Sequence, residues 1–263
     1  MKRSLPLILC ALVSCAPEVD LRTTQYADGT PWSEVRYADG RPTGTWRTWY
    51  RSGALRTERS FLDGVEHGPY RAWREDGELL AERHFVRGEL HGPWLRRFTN
   101  GALEQEGQFD HGLRVGAWKE GRENGKLSAQ GEYVDGLRHG AFTIWHPNGE
   151  LNFEGAFASD QMHGPARQYD DQGRLASEGE YAEGSPEGVW THYHPNGRKK
   201  LEMSMRLGVA QGPSRAWYPD GSPSAEGEFV DGQRHGRWTV WGPAGGVIEA
   251  ESGRYEGGQR VGD

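Results

Sequence analysis

The sequence predicts an all-β protein: an elongated array of tandem 24-residue β-hairpins that together form one twisted antiparallel sheet. Three observations predict this class, namely the composition, a fixed spacing of glycines and an alternation of side chains within each unit. The chain of 263 residues holds 39 Gly and 11 Trp, and 26% of it is charged. Many Gly, aromatic and charged residues suit short strands joined by tight turns.

Glycines recur every 24 residues, and such a period indicates a repeat architecture. The first column of equivalent positions consists of Gly44, Gly68, Gly92, Gly116, Gly140, Gly164, Gly188, Gly212 and Gly236. A second column follows nine positions later, from Gly53 to Gly245, and a third runs from Gly64 to Gly232 with Asp160 as its exception. Asn or Asp precedes many glycines of the second and third columns, and such pairs supply the positive φ of primed hairpin turns. Each unit therefore has two turns and two strands.

The second strand of each unit alternates with a period of two, which predicts a half-buried strand. In one unit, one face carries Leu127, Ala129, Gly131 and Tyr133, and the other carries Ser128, Gln130 and Glu132. We expect the glycine to let an aromatic ring lie flat on the backbone.

The aromatic residues of the first strand lie three apart, as Trp46 and Trp49 do. This spacing places them on opposite faces of a regular strand. Either a bulge re-aims one of them or both faces carry rings, and the sequence leaves both arrangements open.

The unit reads approximately G-x-W-x-x-W-x-x-N-G-x-L-x-x-E-G-x-Y-x-D-G-x-x-H-G and resembles the MORN repeat, more closely its bacterial variant. Residues 140–163 and 212–235 follow the pattern nearly throughout. The resemblance implies a long twisted sheet of successive hairpins and a binding or scaffolding role without enzymatic activity. Some bacterial members of the variant family are labelled as antitoxin components.

The N-terminus predicts export and lipid anchoring. Lys2 and Arg3 precede an apolar run that is too short to span a bilayer but fits a signal peptide. Leu12-Val13-Ser14-Cys15 resembles the bacterial lipobox, in which the cysteine is lipidated and becomes the mature N-terminus. The alternatives are an ordinary secretory signal with an incidental Cys15 and a cytoplasmic N-terminus without a signal. The expected location is the bacterial cell envelope, with Ala16 favouring the outer membrane.

The predicted segments are a signal peptide (1–14), a short linker after the lipidated Cys15 (15–28), a half-repeat cap (29–43) and nine repeats (44–263). The last repeat is irregular because 247–262 holds two extra residues. Atypical ends are expected where a stack of repeats stops.

A net charge of −7 without a basic stripe argues against nucleic acid and against electrostatic membrane binding. We find no nucleophile–base motif, phosphate loop or Cys/His cluster in the sequence. The sequence thus predicts no catalytic residue, no enzyme and no cofactor.

Two polar columns invite a metal or catalytic interpretation. Equivalent residues of successive units lie about 9–10 Å apart, whereas the donor atoms around one zinc ion lie about 3–4 Å apart. We therefore expect no metal, and expect the column histidines to bond the backbone or pack on Trp. We expect the recurring glutamates to pair across strands with Arg47, Arg71, Lys119, Arg167 and Arg215.

The aromatic columns are either core or, in part, an exposed platform on which a sugar ring or a partner's apolar patch stacks. The candidate binding residues are Trp46, Trp49, Trp73, Trp94, Trp118, Trp145, Trp190, Trp217, Trp238 and Trp241. The predicted function is a lipid-anchored envelope protein that binds or scaffolds a protein partner. The alternatives are a module that binds carbohydrate or peptidoglycan and an antitoxin-like inhibitor of a partner protein.

Overall fold

The computed structural model describes residues 19–262, and this part of the chain consists of strands and turns without a helix. The predicted all-β class and the single antiparallel sheet are confirmed. No helix in the described residues is long and apolar enough to cross a membrane. The predicted signal peptide and Cys15 lie outside the described residues.

The strands are short and nearly uniform in length because each fills half of a 24-residue unit. They are β1 (Val19–Gln25), β2 (Pro31–Ala38), β3 (Arg41–Trp49), β4 (Leu55–Leu62), β5 (Val65–Trp73), β6 (Leu79–Val86), β7 (Glu89–Arg97), β8 (Leu103–Asp110), β9 (Leu113–Gly121), β10 (Leu127–Val134), β11 (Leu137–Trp145), β12 (Leu151–Ala158), β13 (Gln161–Met162), β14 (Gly164–Tyr169), β15 (Leu175–Ala182), β16 (Ser185–Tyr193), β17 (Lys199–Arg206), β18 (Val209–Trp217), β19 (Pro223–Val230), β20 (Gln233–Val240), β21 (Gly253–Glu256) and β22 (Gln259–Gly262).

Each strand pairs antiparallel with the next strand along the chain, so that the order in the sheet is the order in the sequence. The one departure is at β13 and β14, which both pair with β12 and together take the place of one strand. Since the strands otherwise pair with their sequence neighbours, each unit contacts mainly the units beside it.

The turns lie in two rows along the two long sides of the sheet, here called its edges. The two edges use different turns. At one edge, two residues with positive φ form each turn, as Asp63 (51°) and Gly64 (87°) do, which is the predicted primed geometry. At the other edge only the glycine has a positive φ. There the amide of His146 donates to the carbonyl of Glu150 and the amide of Gly149 donates to the carbonyl of His146, which closes a three-residue turn. The expectation of primed turns at second-column glycines is therefore wrong.

The first-column glycines lie inside strands, at bulges. In β11, Gly140 (φ 71°) and Ala141 lie between the residue pairs Phe142–Gly131 and His139–Glu132. The bulge needs a left-handed backbone conformation at Gly140, which glycine adopts without a Cβ penalty.

Both ends of the array depart from the prediction or refine it. The segment 15–28, predicted as a linker, contains β1, which pairs with β2 in full register from Val19 to Thr24. The cap is therefore a complete hairpin and not a half repeat. At the other end, the segment between β20 and β21 forms a turn in which the hydroxyl of Ser252 bonds the backbone of Val240.

Candidate functional site

One face of the sheet, here called the ring face, carries aromatic rings that lie flat on glycines of the neighbouring strand. Trp118 covers Gly107 so closely that a Cβ on this glycine would lie 2.3 Å from the indole atoms Cδ2 and Cε2. Phe142 on Gly131, Trp190 on Gly179 and Trp238 on Gly227 repeat this contact at 2.3–2.4 Å. The expectation that a ring lies on the glycine backbone is confirmed.

The rings of successive strands also contact one another edge to face. A row runs through Trp94, Phe109, Trp118, Tyr133, Phe142 and Phe157, with ring centroids 5.1 to 6.1 Å apart. Such T-shaped pairs contribute roughly 0.5–1.5 kcal/mol each beyond their area burial. This row is the core of a sheet that has no second layer.

Arginines cover the outer side of several rings. The guanidinium carbon of Arg114 lies 4.2 Å from the Trp118 ring centroid, and that of Arg234 lies 4.5 Å from the Trp238 centroid. Arg138 covers Phe157 at 4.2 Å. Trp118 and Trp238 are thus enclosed by backbone on one side and by a cation on the other, which leaves little ring surface for a ligand.

Burial removes part of the predicted Trp set from the candidates for ligand contact. Trp118, Trp190 and Trp238 are only 2%, 6% and 3% exposed and belong to the core. Trp46 and Trp94 are half-buried on the same face, where Trp46 packs on Phe61 and Trp94 on Phe109. The other five, Trp49, Trp73, Trp145, Trp217 and Trp241, are half-buried at strand ends beside the three-residue turns.

The opposite face, here called the charged face, carries the glutamate column. Its glutamates pair across strands with basic residues at 2.8 to 3.7 Å, in the pairs Arg47–Glu58, Arg71–Glu82, Lys119–Glu106 and Arg167–Glu178. The predicted pairing is confirmed at these four positions. Arg215 lies directly opposite Glu202 and Glu226 in register. Exposed pairs of this kind stabilise little, typically by less than about 1 kcal/mol.

Rings are present on the charged face as well. The hydroxyl of Tyr169 donates to Glu154 at 2.9 Å and that of Tyr193 donates to Glu178 at 2.6 Å. Since Glu154 and Glu178 point away from the ring-face residues Gly155 and Gly179, the second aromatic column belongs to the charged face. Of the two arrangements left open by the sequence, the one with rings on both faces is therefore confirmed.

The Tyr193–Glu178 contact shifts both pKa values. The hydrogen bond to the Glu178 carboxylate raises the pKa of Tyr193 to about 12. Conversely, the bond from Tyr193, together with Arg167, lowers the pKa of Glu178. The pair is therefore held as phenol and carboxylate across the neutral range.

Two clefts lie over the middle of the strands on the charged face. One of about 600 Å³ lies over β12, β14, β15 and β16, between the Arg167–Glu178 pair and Val189, which is 58% exposed. A second cleft of about 370 Å³ lies over β6 to β9, near Glu82 and Lys119. Trp32 is the most exposed Trp of the chain at 43%, and it lies at a bulge of β2, where its neighbours Ser33 and Pro31 pair with Thr24 and Gln25. The sequence analysis missed it because its column otherwise holds residues such as Arg56 and Glu104.

Hydrogen bonds join the turns of one edge to the next turns along the array. At the three-residue turns, side chains donate to carbonyl oxygens 23 residues ahead, in the pairs Tyr26–Trp49, Tyr50–Trp73, Arg122–Trp145, His146–Tyr169, His194–Trp217 and Tyr218–Trp241. Asn100, Asn124, Asn148 and Asn196 make equivalent bonds to Glu123, Pro147, Asp171 and Pro219. At the two-residue turns backbone bonds make the connection, as from the Gly64 amide to the Pro42 carbonyl.

Side chains of the column that contains His67, His91 and His139 also accept hydrogen bonds from two-residue turns in several units. The Nδ1 atom of His67 accepts a hydrogen bond from the amide of Arg87 at 3.3 Å. Glu187 and Gln211, at the same position, accept from the amides of Leu207 and Asp231. The expected backbone role of a column histidine is therefore confirmed for His67.

Two segments match the family model described as MORN repeat variant, residues 138–158 and 186–206. Each covers one hairpin with its three-residue turn, and their starts lie two 24-residue periods apart. MORN repeats are generally binding modules.

No curated protein matches the chain. Among solved structures, that of TcdB2-TccC3 without the hypervariable C-terminal region is similar over 92% of this chain and 18% of its own, at 12% identity and a TM-score of 0.18. The chain thus spans less than a fifth of that structure, and a TM-score this low carries no argument.

Proposed function

We propose that the protein is a non-enzymatic module that binds a protein partner through its charged face and is anchored to the bacterial envelope by a lipid on Cys15. The observation that carries the binding part is the contrast between the two faces. The ring face is filled by its own rings and arginines, whereas the charged face presents the two clefts.

The larger cleft suits a protein partner. It extends over four strands and combines the Arg167–Glu178 pair with the exposed Val189. Protein interfaces commonly combine apolar contacts with a polar rim in this way.

Site-specific photo-cross-linking in the native host tests this proposal. A photoreactive amino acid at Val189 is expected to capture one discrete protein partner, because this side chain lies in the larger cleft. The matched control is the same amino acid at Leu207, which is 73% exposed in a two-residue turn away from the clefts. Equal capture at both positions, or none at Val189, would contradict binding through the charged face.

Exposed Trp32 favours carbohydrate or peptidoglycan binding as the second candidate. A sugar ring stacked on this indole would quench its fluorescence, and Trp32→Phe would remove the quenching. Trp118→Phe serves as the control for a buried ring. No response to cell-wall fragments at millimolar concentration would exclude this candidate at Trp32.

The anchoring part requires a separate measurement. The intact mass of the N-terminal peptide from the native host is expected to include a diacylglyceryl adduct on Cys15 that Cys15→Ala lacks. An unprocessed Met1 would refute anchoring and would place a cytoplasmic partner first, as the antitoxin-like alternative requires.

A further inference from the structure

Four polar side chains meet beside the two-residue turn between β8 and β9. The Nδ1 atom of His91 lies 3.0 Å from Asp110 Oδ1, and the Nε2 atom of His111 lies 3.8 Å from the same oxygen. One donor atom from each of these three residues lies within 4.8 Å of the other two. The other ring nitrogen of His111, Nδ1, lies 3.6 Å from Glu89 Oε2.

Comparison with other units shows that His91 departs from the role of its column. His67, Glu187 and Gln211 accept a hydrogen bond from the backbone amide 20 residues ahead. His91 does not bond the corresponding amide of His111. Its Nδ1 atom is buried and, although it is 3.0 Å from Asp110, it makes no bond of hydrogen-bond geometry.

The other two members of the cluster are peculiar to this unit. The column of Asp110 otherwise holds Leu62, Val86, Val134, Ala158, Ala182, Arg206 and Val230, and no other unit has a histidine at the position of His111. Their placement side by side brings a carboxylate and a second imidazole to the free nitrogen of His91.

We propose that His91, Asp110 and His111 bind a divalent transition-metal ion, with Zn²⁺ as the expected occupant. Imidazole nitrogen and carboxylate oxygen are ordinary zinc ligands at about 2.0–2.2 Å, which places tetrahedral donors about 3–4 Å apart. The donor separations of 3.0 and 3.8 Å fit this requirement.

Glu89 would orient the His111 ring without contacting the metal itself. A histidine that binds a metal through one nitrogen usually donates its other N–H to a carboxylate, which fixes the orientation of the ring. With Nε2 of His111 toward the metal, its Nδ1–H faces Glu89. The fourth metal position would be open to water or to an atom of a binding partner.

The sequence argument against a metal compared only histidines one repeat apart. It did not consider a column histidine and the turn that lies beside it on the adjacent hairpin. The sequence signal was the pair Asp110-His111, which breaks two columns at once.

Calorimetric titration with Zn²⁺ tests the site. The sample is the full, untagged chain with Cys10→Ser and Cys15→Ser, because thiolates and affinity tags bind zinc. We expect one Zn²⁺ per chain, no binding of Mg²⁺, and a tetrahedral visible spectrum with Co²⁺.

The variants are chosen to preserve the fold. His91→Gln introduces the residue that Gln211 provides in the same column, and His111→Asn keeps a side chain that tolerates a positive φ. Each should weaken Zn²⁺ binding at least about tenfold, since loss of an outer partner alone costs about 10–100-fold. Glu89→Gln should also weaken Zn²⁺ binding, but less than His91→Gln or His111→Asn does, because Glu89 is an outer partner and not a ligand.

His139→Gln is the matched control, because it removes a histidine of the same column outside the cluster. It should bind Zn²⁺ like the parent chain. Binding that is absent in the parent, or equal in the parent and His91→Gln, would overturn the proposal. Circular dichroism of each variant establishes that its fold is intact.

Discussion

Two regions of the ring face have different residue types in the column that contains Gly107 and Gly131. From β4 to β7 the column holds Arg59 and Arg83, whose guanidinium carbons both lie 5.1 Å from the Tyr70 ring centroid. From β8 to β11 it holds Gly107 and Gly131, on which rings lie flat. Trp94 pairs with Arg83 on one side and with Gly107 on the other in the same register. The register is therefore set by the turns and bulges, and the column accepts either solution.

A third solution appears where the aromatic position itself is small. Ala166 replaces the ring, and Phe153 from the preceding strand lies over Gly155, where a Cβ would be 2.5 Å from its Cζ. Phe153 and Ala166 are 5% and 4% exposed. The gap is filled from a different column, so loss of a column residue does not open a binding site there.

The largest expected effect distinguishes the stacked region from the arginine region. Trp118→Ala should lower the free energy of unfolding by about 3–5 kcal/mol, because it empties a buried site between two edge-on rings. Tyr70→Ala should lower the free energy of unfolding by less than Trp118→Ala does, since Tyr70 is half-buried between two arginines. Urea denaturation of both variants measures the difference. Equal losses would show that the two regions pack equally well.

Gly107→Ala should lower the free energy of unfolding by about 1–3 kcal/mol. The added Cβ would meet the indole of Trp118 at 2.3 Å, so the ring must shift. Gly246→Ala is the control, because a Cβ there meets nothing within 4 Å and its φ is not in the left-handed region. Chemical denaturation of both variants checks this, and a similar result for the two would mean that the ring shifts without cost.

Arg83→Met should lower the free energy of unfolding by about 0.5–1 kcal/mol, because the contacts of the guanidinium with Tyr70 and Trp94 are lost. Met203 lies at the equivalent position of another unit, so a methionine side chain fits in this column. Arg237→Met, at an exposed position, is the control for charge. An increase in thermal stability of Arg83→Met would show that burying the guanidinium, whose Nε makes no hydrogen bond, outweighs the stacking.

The smallest effect concerns the charged face. Tyr193 should ionise near pH 12, against an ordinary pKa of 10, so its contact with Glu178 stabilises the fold fully below pH 10 and is lost as the pH rises toward 12. Ultraviolet titration of the phenolate checks this value, with Tyr193→Phe used to assign the signal. Glu178→Gln should lower the pKa of Tyr193; an unchanged value would mean that the carboxylate does not cause the shift.

The sequence was sufficient for the fold because a turn-forming glycine marks nearly every hairpin. It was insufficient at β1, since Val19–Gln25 lacks the glycine and aromatic residues of the other units. It could not separate buried from accessible rings either, because Trp118 and Trp145 look alike in sequence and differ only in the face that they occupy. The contact of Phe153 with Gly155, like the cluster at His91, depends on which columns become neighbours in space.

The connections between turns determine how this sheet can bend. At the three-residue turns, Arg74 bonds residues of its own turn and Asp170 does the same, so neither turn is tied by a side chain to the next one. That edge thus consists of three lengths of linked turns, separated by two joints that no side-chain bond crosses, while the opposite edge stays continuous through its backbone bonds. The joints lie near β6–β7 and β15–β16, where the two clefts are. Bending there would open or close the charged face around a bound molecule without separating any strand pair.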